Sequence, residues 1–329
     1  MAKTPAKKNA AAANRAQGRA PGKSAPGKAP NRTPAKPSAG RPAGLFTWLA
    51  IGLVVVVVAT LVIIKVSGGG GPSGSSGYSA TDPAMVAQLT TIPESVFDTV
   101  GVNSQVVQVS APIAVKNQPP LTGTTTGGAT VPEILYIGAE YCPFCAAQRW
   151  STIIALSRFG TWKGLGNTTS AAKDQYPNTP TFTFAKAVYT SKYLVFKGVE
   201  EYTNQVNAAG TNYVSLQNPT AAQQKLILKY DTPKYIRGLT SSSGNPIPFM
   251  TFDNKFLVSG SSYSPDALTG LTRSAVATGL SDPTSPVTDA IIASANYQTA
   301  AICSLTKNQP STVCTSSGVQ AAAKAMKLK

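Results

Sequence analysis

The sequence predicts an α/β protein: a central mixed sheet with an inserted segment and a C-terminal helical hairpin, preceded by one transmembrane helix. Three observations predict it. Leu45 to Ile64 is an uncharged apolar run, about the twenty residues that cross a hydrocarbon core. Ile134-Leu135-Tyr136-Ile137 leads within a few residues to Cys142-Pro143-Phe144-Cys145 and then a helix-like segment, so a strand ends where two thiols meet a helix. Far downstream, Ile247-Pro248-Phe249-Met250-Thr251-Phe252 and Lys255-Phe256-Leu257-Val258 flank Asp253-Asn254, the pattern of a hairpin.

The N-terminal segments come first. Residues 1–44 carry ten Lys/Arg and no acid among Ala, Pro, Gly, Ser and Asn. Such a composition cannot bury a core and is expected to be disordered. The net charge of +16 is therefore concentrated in this tail, and the chain from Ser67 holds 18 basic and 13 acidic residues. No aromatic residues interleave the lysines, which argues against nucleic acid as a partner. The span is expected over 45–65. The excess of basic charge before it, against Lys65 alone after it, places the N-terminus in the cytoplasm and the rest of the chain outside. Residues 66–80, rich in Gly and Ser, read as a tether.

An extracytoplasmic domain is expected over 81–285. Asp82-Pro83 reads as an N-cap with Pro at the first helical position. A second short helix spans Glu94 to Val100, and a strand is expected over Gln105 to Ala114. Asn117 to Thr130 reads as a loop before the central strand Glu133–Gly138. The helix after the dithiol runs to Phe159, with Trp150, Ile153, Ile154 and Leu156 facing the core. Gly160 to Thr179 is expected as a long loop, and Phe182–Val188 and Lys192–Tyr202 as paired strands. Asn218-Pro219 is expected to cap a helix through Tyr230, and Ser264-Pro265-Asp266 one through Val276. Residues 286–329 read as two Ala-rich helices joined around Thr306 to Ser311.

The chemistry rests on four cysteines in a chain without histidine. Ser-His and Cys-His nucleophile pairs and His-ligated metals are excluded. A zinc site made of all four cysteines is formally open, although only one cysteine pair has zinc-ribbon spacing. Neither a phosphate-binding Gly-rich loop nor a dinucleotide fingerprint is present; no cofactor and no metal are expected. Cys142 and Cys145 are the candidate catalytic pair. The helix N-terminus turns N–H groups and its positive dipole end towards the first sulfur, favouring thiolate. One turn on, the second cysteine is placed to resolve a mixed disulfide. Cys303 and Cys314 flank the turn of the C-terminal hairpin, and outside the cytoplasm a disulfide is their expected state. Lacking Cys-x-x-Cys spacing, they are a weaker second redox pair.

These motifs resemble the thioredoxin-like superfamily. Gly138-Ala139-Glu140-Tyr141-Cys142 is similar to the approach to the thioredoxin dithiol, and Ile247-Pro248 to its cis-proline, with the hairpin and a final helix following. The combination also resembles a family of membrane-anchored actinobacterial and archaeal proteins, catalogued as a domain of unknown function, with a Cys-Pro-x-Cys motif. That resemblance covers most of residues 80–318 and is strongest from Tyr136 to Gly160. It implies a thioredoxin-like sheet with an insertion around 160–235, and an Ile247–Pro248 bond in cis beside Cys142. Tyr136 stands where thioredoxins carry a buried Asp, so proton transfer to Cys145 needs another group; Glu140 is the nearest acid in sequence.

The expected function is thiol–disulfide exchange on exported proteins. Cys142 is the nucleophile and Cys145 the resolving thiol, shaped by Pro143, Phe144, Glu140, Tyr141, Ile247 and Pro248. Partners are exported polypeptide thiols or disulfides, membrane lipid around residues 45–65, and a membrane redox partner. Phe144 and Tyr141 are candidates for an apolar docking surface; Arg149, one turn past Cys145, reads as a solvated helix charge, with support of a thiolate as the alternative. The alternative is a non-catalytic binding or scaffolding ectodomain that keeps the same fold.

Overall fold

The computed structural model describes residues 78–102 and 107–328. The expected basic tail and span lie outside them, as does the tether up to residue 77. Among the described residues no helix is long and apolar enough to cross a membrane. They form a mixed α/β structure of several sheets and helices.

The described residues open with β1 (Ser79–Ala80), so the tether ends before residue 79; Ser79 and Ala80 pair with Asn167 and Gly166. Next come α1 (Pro83–Thr90) and α2 (Glu94–Val100). Asp82 caps α1 through the Ala84 N–H, as its Asp-Pro start predicts. Of the strand expected over 105–114, only β2 (Ile113–Ala114) joins a ladder among the described residues. The loop expected over 117–130 contains β3 (Thr122–Thr124), which folds back on β4 (Thr130–Gly138) through a Thr/Gly turn.

The dithiol helix is α3 (Pro143–Ser157). Four short strands follow: β5 (Thr161–Lys163), β6 (Gly166–Thr169), β7 (Pro180–Thr183) and β8 (Val188–Thr190). Two of these lie in the stretch expected as a loop, and β7 pairs with β6 rather than with its expected partner. Thr-rich runs this short carry little apolar alternation, so their pairing is set by tertiary contacts. Next in the chain are β9 (Val195–Glu200), the hairpin β10 (Tyr202–Val206) with β11 (Tyr213–Ser215), and α4 (Ala221–Tyr230). Thr220, not Asn218, caps α4. Its hydroxyl accepts from the Gln223 N–H while the Gln223 amide oxygen accepts from the Thr220 N–H, a capping box.

The hairpin β12 (Phe249–Phe252) and β13 (Phe256–Ser259) turns at Asp253-Asn254, both at positive φ, 54° and 55°. Beyond it, the expected single helix is broken. A 3-10 turn, Pro265–Leu268, is separated from α5 (Arg273–Gly279) by Thr269 and by Gly270 at φ 75°. The last elements are α6 (Pro286–Leu305), α7 (Ser311–Cys314) and α8 (Ser317–Ala325). Cys303 and Cys314 are disulfide-bonded across the turn.

The main sheet runs β2-β13-β12-β4-β3, with β9 also on β4. β4 is its axis. It is antiparallel to β12 on one side; on the other it pairs with β3 up to Pro132 and, from Glu133, in parallel with β9. The period of two along β4 divides two cores. Ile134 and Tyr136 face the core shared with α3, while Leu135 and Ile137 face one with Ile227 and Tyr230 of α4. Residues 286–329, expected as an appended hairpin, build α6 into the first core against α3. Polar bonds cross the α3–α6 contact within that core: the Ser294 hydroxyl donates to Ser151 Oγ at 2.9 Å, and Thr152 to Gln298 at 3.0 Å.

Candidate functional site

The site is built where β4 ends. Gly138 is the last paired residue, opposite Glu200, Ala139 leaves the sheet, Cys142 takes the N-cap of α3 in extended conformation, and Pro143 fills the first helical position. Pro has no N–H to lose there and its φ suits the turn. The Cys145 N–H donates to Cys142 Sγ at 3.3 Å. Both thiols are free; Cys142 is 5% exposed and Cys145 is fully buried.

These surroundings split the two thiols. The Cys145 side chain, the Cys145 and Phe144 N–H groups and the Arg149 charge lower the pKa of Cys142 against the penalty of burial. For Cys145 the balance reverses. Burial comes first, the neighbouring Cys142 adds to it, and the thiol is pushed well above its ordinary value. Thiolate is favoured at one sulfur, and the other is held neutral behind it.

The downstream residues converge on the same point. The Ile247–Pro248 bond is cis, and the Cys142 S–H donates to the Ile247 carbonyl at 3.6 Å. Pro248 is buried at the entry to β12, and its carbonyl accepts from the Gly260 N–H. Phe144 is 37% exposed and meets the edge of Tyr176 at 5.9 Å. Tyr141 stacks on Tyr213 at 4.1 Å and tilts towards Tyr202. Glu140 is half-buried; desolvation raises its pKa, opposed by the Thr183 and Thr168 hydroxyls. Cys303 and Cys314 belong to the staple of the C-terminal helices instead.

Arg149 is a correction to the sequence reading. It is not a solvated helix charge but has no exposure. Its Nε donates to Glu200 Oε1 at 2.8 Å, and Nη2 donates to Glu200 Oε2 at 2.6 Å and to the Ala139 carbonyl at 2.7 Å. The reason is tertiary: β9 brings Glu200 against this side of α3, which keeps almost no solvent face. Glu200, at the end of β9, was missed; a carboxylate closing the run Val195–Glu200 was the available signal. The aromatic partners Tyr176, Tyr202 and Tyr213 were missed as well, because they come from the inserted segment and only the folded chain brings them to the dithiol.

Among the described residues no group of three His, Cys, Asp or Glu side chains could hold a metal ion. A family model described as a domain of unknown function (DUF929) matches residues 122–304, and the chain belongs to that family. No curated protein matches the chain, and neither does any solved structure.

Proposed function

We propose that this chain, a member of the DUF929 family, is a membrane-anchored extracytoplasmic thiol–disulfide oxidoreductase with a thioredoxin-like fold, acting on exported proteins. One observation carries the reading: Cys142 is an N-capping cysteine whose pKa is lowered, flanked by a buried Cys145 and by the Ile247 carbonyl at 3.6 Å. The parallel β4–β9 pair, with α3 in the connection between its strands, and the antiparallel β12–β13 hairpin support the thioredoxin-like assignment. The span expected over 45–65 supports the anchor and the compartment.

In this reading the Cys142 thiolate attacks a client disulfide and Cys145 resolves the intermediate. The Ile247 carbonyl borders the sulfur on one side, and Phe144 with Tyr176 gives an aromatic rim on another. Trapping tests it. Full-length protein carrying Cys145→Ala is expected to accumulate mixed disulfides with exported polypeptides. The same chain with Cys142→Ala is expected to accumulate none. A reversible dithiol that never captures a client in this assay would favour a scaffolding ectodomain instead.

A further inference from the structure

Behind the dithiol lie two hydrogen-bond donors that the fold leaves unused. The Tyr136 hydroxyl and Arg149 Nη1 are both buried and, among the described residues, both without a hydrogen-bond partner. Buried donors are normally satisfied, and an orphan costs the desolvation of the group. Here two orphans come from neighbouring elements. Tyr136 lies on β4, and Arg149 one helical turn after Cys145 on α3, its guanidinium carbon 5.8 Å from the Tyr136 ring centre. Gly138 reveals what they surround. A Cβ on Gly138 would stand 2.3 Å from the Tyr136 hydroxyl oxygen and 2.9 Å from Cys145 Sγ. Hydroxyl and sulfur therefore both close on the side of Gly138 that a side chain would occupy, a packing possible only because residue 138 has none.

We propose that Tyr136 and Arg149 form an internal site that receives negative charge on Cys145, with Glu200 as the positioning residue that holds the guanidinium. This rests on the exchange reading above and assigns how its second step proceeds. In the first step the Cys142 thiolate bonds to one client sulfur, and the other leaves as a thiolate and takes up a proton. In the second, Cys145 gives up its proton, which ends on the departing client sulfur, and attacks Cys142. The Cys142–Cys145 bond forms, the Cys142–client bond breaks, and the departing client thiolate is protonated. The client disulfide is reduced and the dithiol oxidised. Run backwards, a client thiolate attacks the disulfide and Cys145 is the leaving group. In either direction the charge passes through Cys145 Sγ, in a place water does not reach.

The surroundings suit that task. Burial, above all, raises the Tyr136 pKa well past its ordinary value, so the phenol keeps its proton and donates. Burial pulls Arg149 down, but Glu200 and its hydrogen bonds outweigh it and hold the guanidinium charged. The Ala139 N–H and Arg149 both favour the Cys145 thiolate. The orphans remain unpaired while Cys145 is a neutral thiol and find their partner when it ionises.

Oxidised glutathione tests this with the full-length reduced protein. Its reaction releases one glutathione when Cys142 attacks and a second when Cys145 resolves, and the two releases are timed separately. Tyr136→Phe keeps the ring and removes the hydroxyl. It is expected to slow the second release on the order of tenfold or more, the worth of a hydrogen bond to a charged group, with the first unchanged. Carbon NMR of labelled cysteine in a Cys142→Ala background is expected to show the Cys145 titration moving to higher pH with Tyr136→Phe. Tyr263→Phe is the folding control, because that hydroxyl is already satisfied by the Ala147 carbonyl at 2.7 Å. It is expected to lower thermal stability and leave the ratio of the two rates alone. Equal second-step rates in wild type and Tyr136→Phe would overturn the proposal, and so would equal slowing of both steps. If wild type releases no glutathione at all, the exchange reading itself fails.

Discussion

Arg149 and Glu200 meet as a two-pronged ion pair with both side chains out of solvent, joined at 2.8 and 2.6 Å. The Phe184 N–H adds a third bond, to Glu200 Oε1 at 3.1 Å. Two charges this deep are tolerable only together, because removing one leaves the other desolvated and unpaired. Glu200→Ala is therefore expected to destabilise the protein by about 3–5 kcal/mol in urea unfolding. Replacing both residues by apolar ones of similar volume is expected to recover much of that loss. If the single and double variants unfold at the same urea concentration, the pair does not stabilise the fold.

The thiol pair gives a pH prediction. A lowered pKa means that Cys142 is thiolate over a window below the ordinary thiol value of 9.0. Alkylation by iodoacetamide is expected to mark Cys142 alone at neutral pH, because Cys145 is buried and its pKa is raised. The rate is expected to fall as pH drops through the depressed Cys142 value and to be flat above it. Mass spectrometry across a pH series reads both outcomes; modification of Cys145 first would reverse the assignment of roles.

Much of this was legible because it is local. The strand before the dithiol, the helix after it and the Asp253-Asn254 turn are written in contiguous residues. The staple is an inference from four cysteines and a compartment. What was not legible depends on neighbours distant in sequence. Arg149 reads as a surface charge until β9 brings Glu200 to it. Gly138 reads as a strand end until Tyr136 and Cys145 close around it. The strands β5 to β8 are too short to show a period, and the aromatic partners of Tyr141 and Phe144 lie up to 72 residues away.

Asp231 is expected to make stability depend on pH. Its side chain is almost wholly buried, and among the described residues no close hydrogen bond satisfies either carboxylate oxygen. Burial pushes its pKa from 3.8 up to about 6, with the nearby Ser259 hydroxyl opposing. Between those values the native state holds a proton that the unfolded chain has lost, so this group makes stability fall as pH rises from 3.8 towards 6. Asp231→Asn is expected to raise the melting temperature at neutral pH and to change it little below the lower value. Parallel melting curves for the two proteins at every pH would refute this.

The disulfide and the dithiol should separate under reductant. Cys303 and Cys314 are buried beneath α8 and close a loop with a sequence separation of 11, worth about 3 kcal/mol by loop entropy. In oxidised protein a graded reductant series is expected to open Cys142–Cys145 first, because Cys142 keeps some exposure. Replacing both Cys303 and Cys314 by Ser is expected to cost roughly that 3 kcal/mol while leaving glutathione turnover intact. Loss of turnover with stability unchanged would make the C-terminal pair the redox centre.

The aromatic rim should matter for polypeptides and not for small thiols. Phe144 sits in the first turn of α3, directly beside Cys142, yet keeps 37% of its surface in solvent. Its only ring contact among the described residues is the edge of Tyr176, a residue of the inserted segment. A packing residue would turn such a ring inward; a ring left out at the mouth of the site is available to an apolar side chain of a client. Aromatic pairs are worth about 0.5–1.5 kcal/mol beyond the area they bury, a factor of roughly two to ten in binding. Phe144→Ser and Tyr176→Ser are each expected to raise KM for an unfolded polypeptide disulfide by that factor, with kcat held. Turnover of oxidised glutathione, which is too small to span the rim, is expected to be unchanged. If the two substrates respond alike, Phe144 acts by setting the Cys142 thiolate through its N–H and the helix turn, and the rim is not a docking surface.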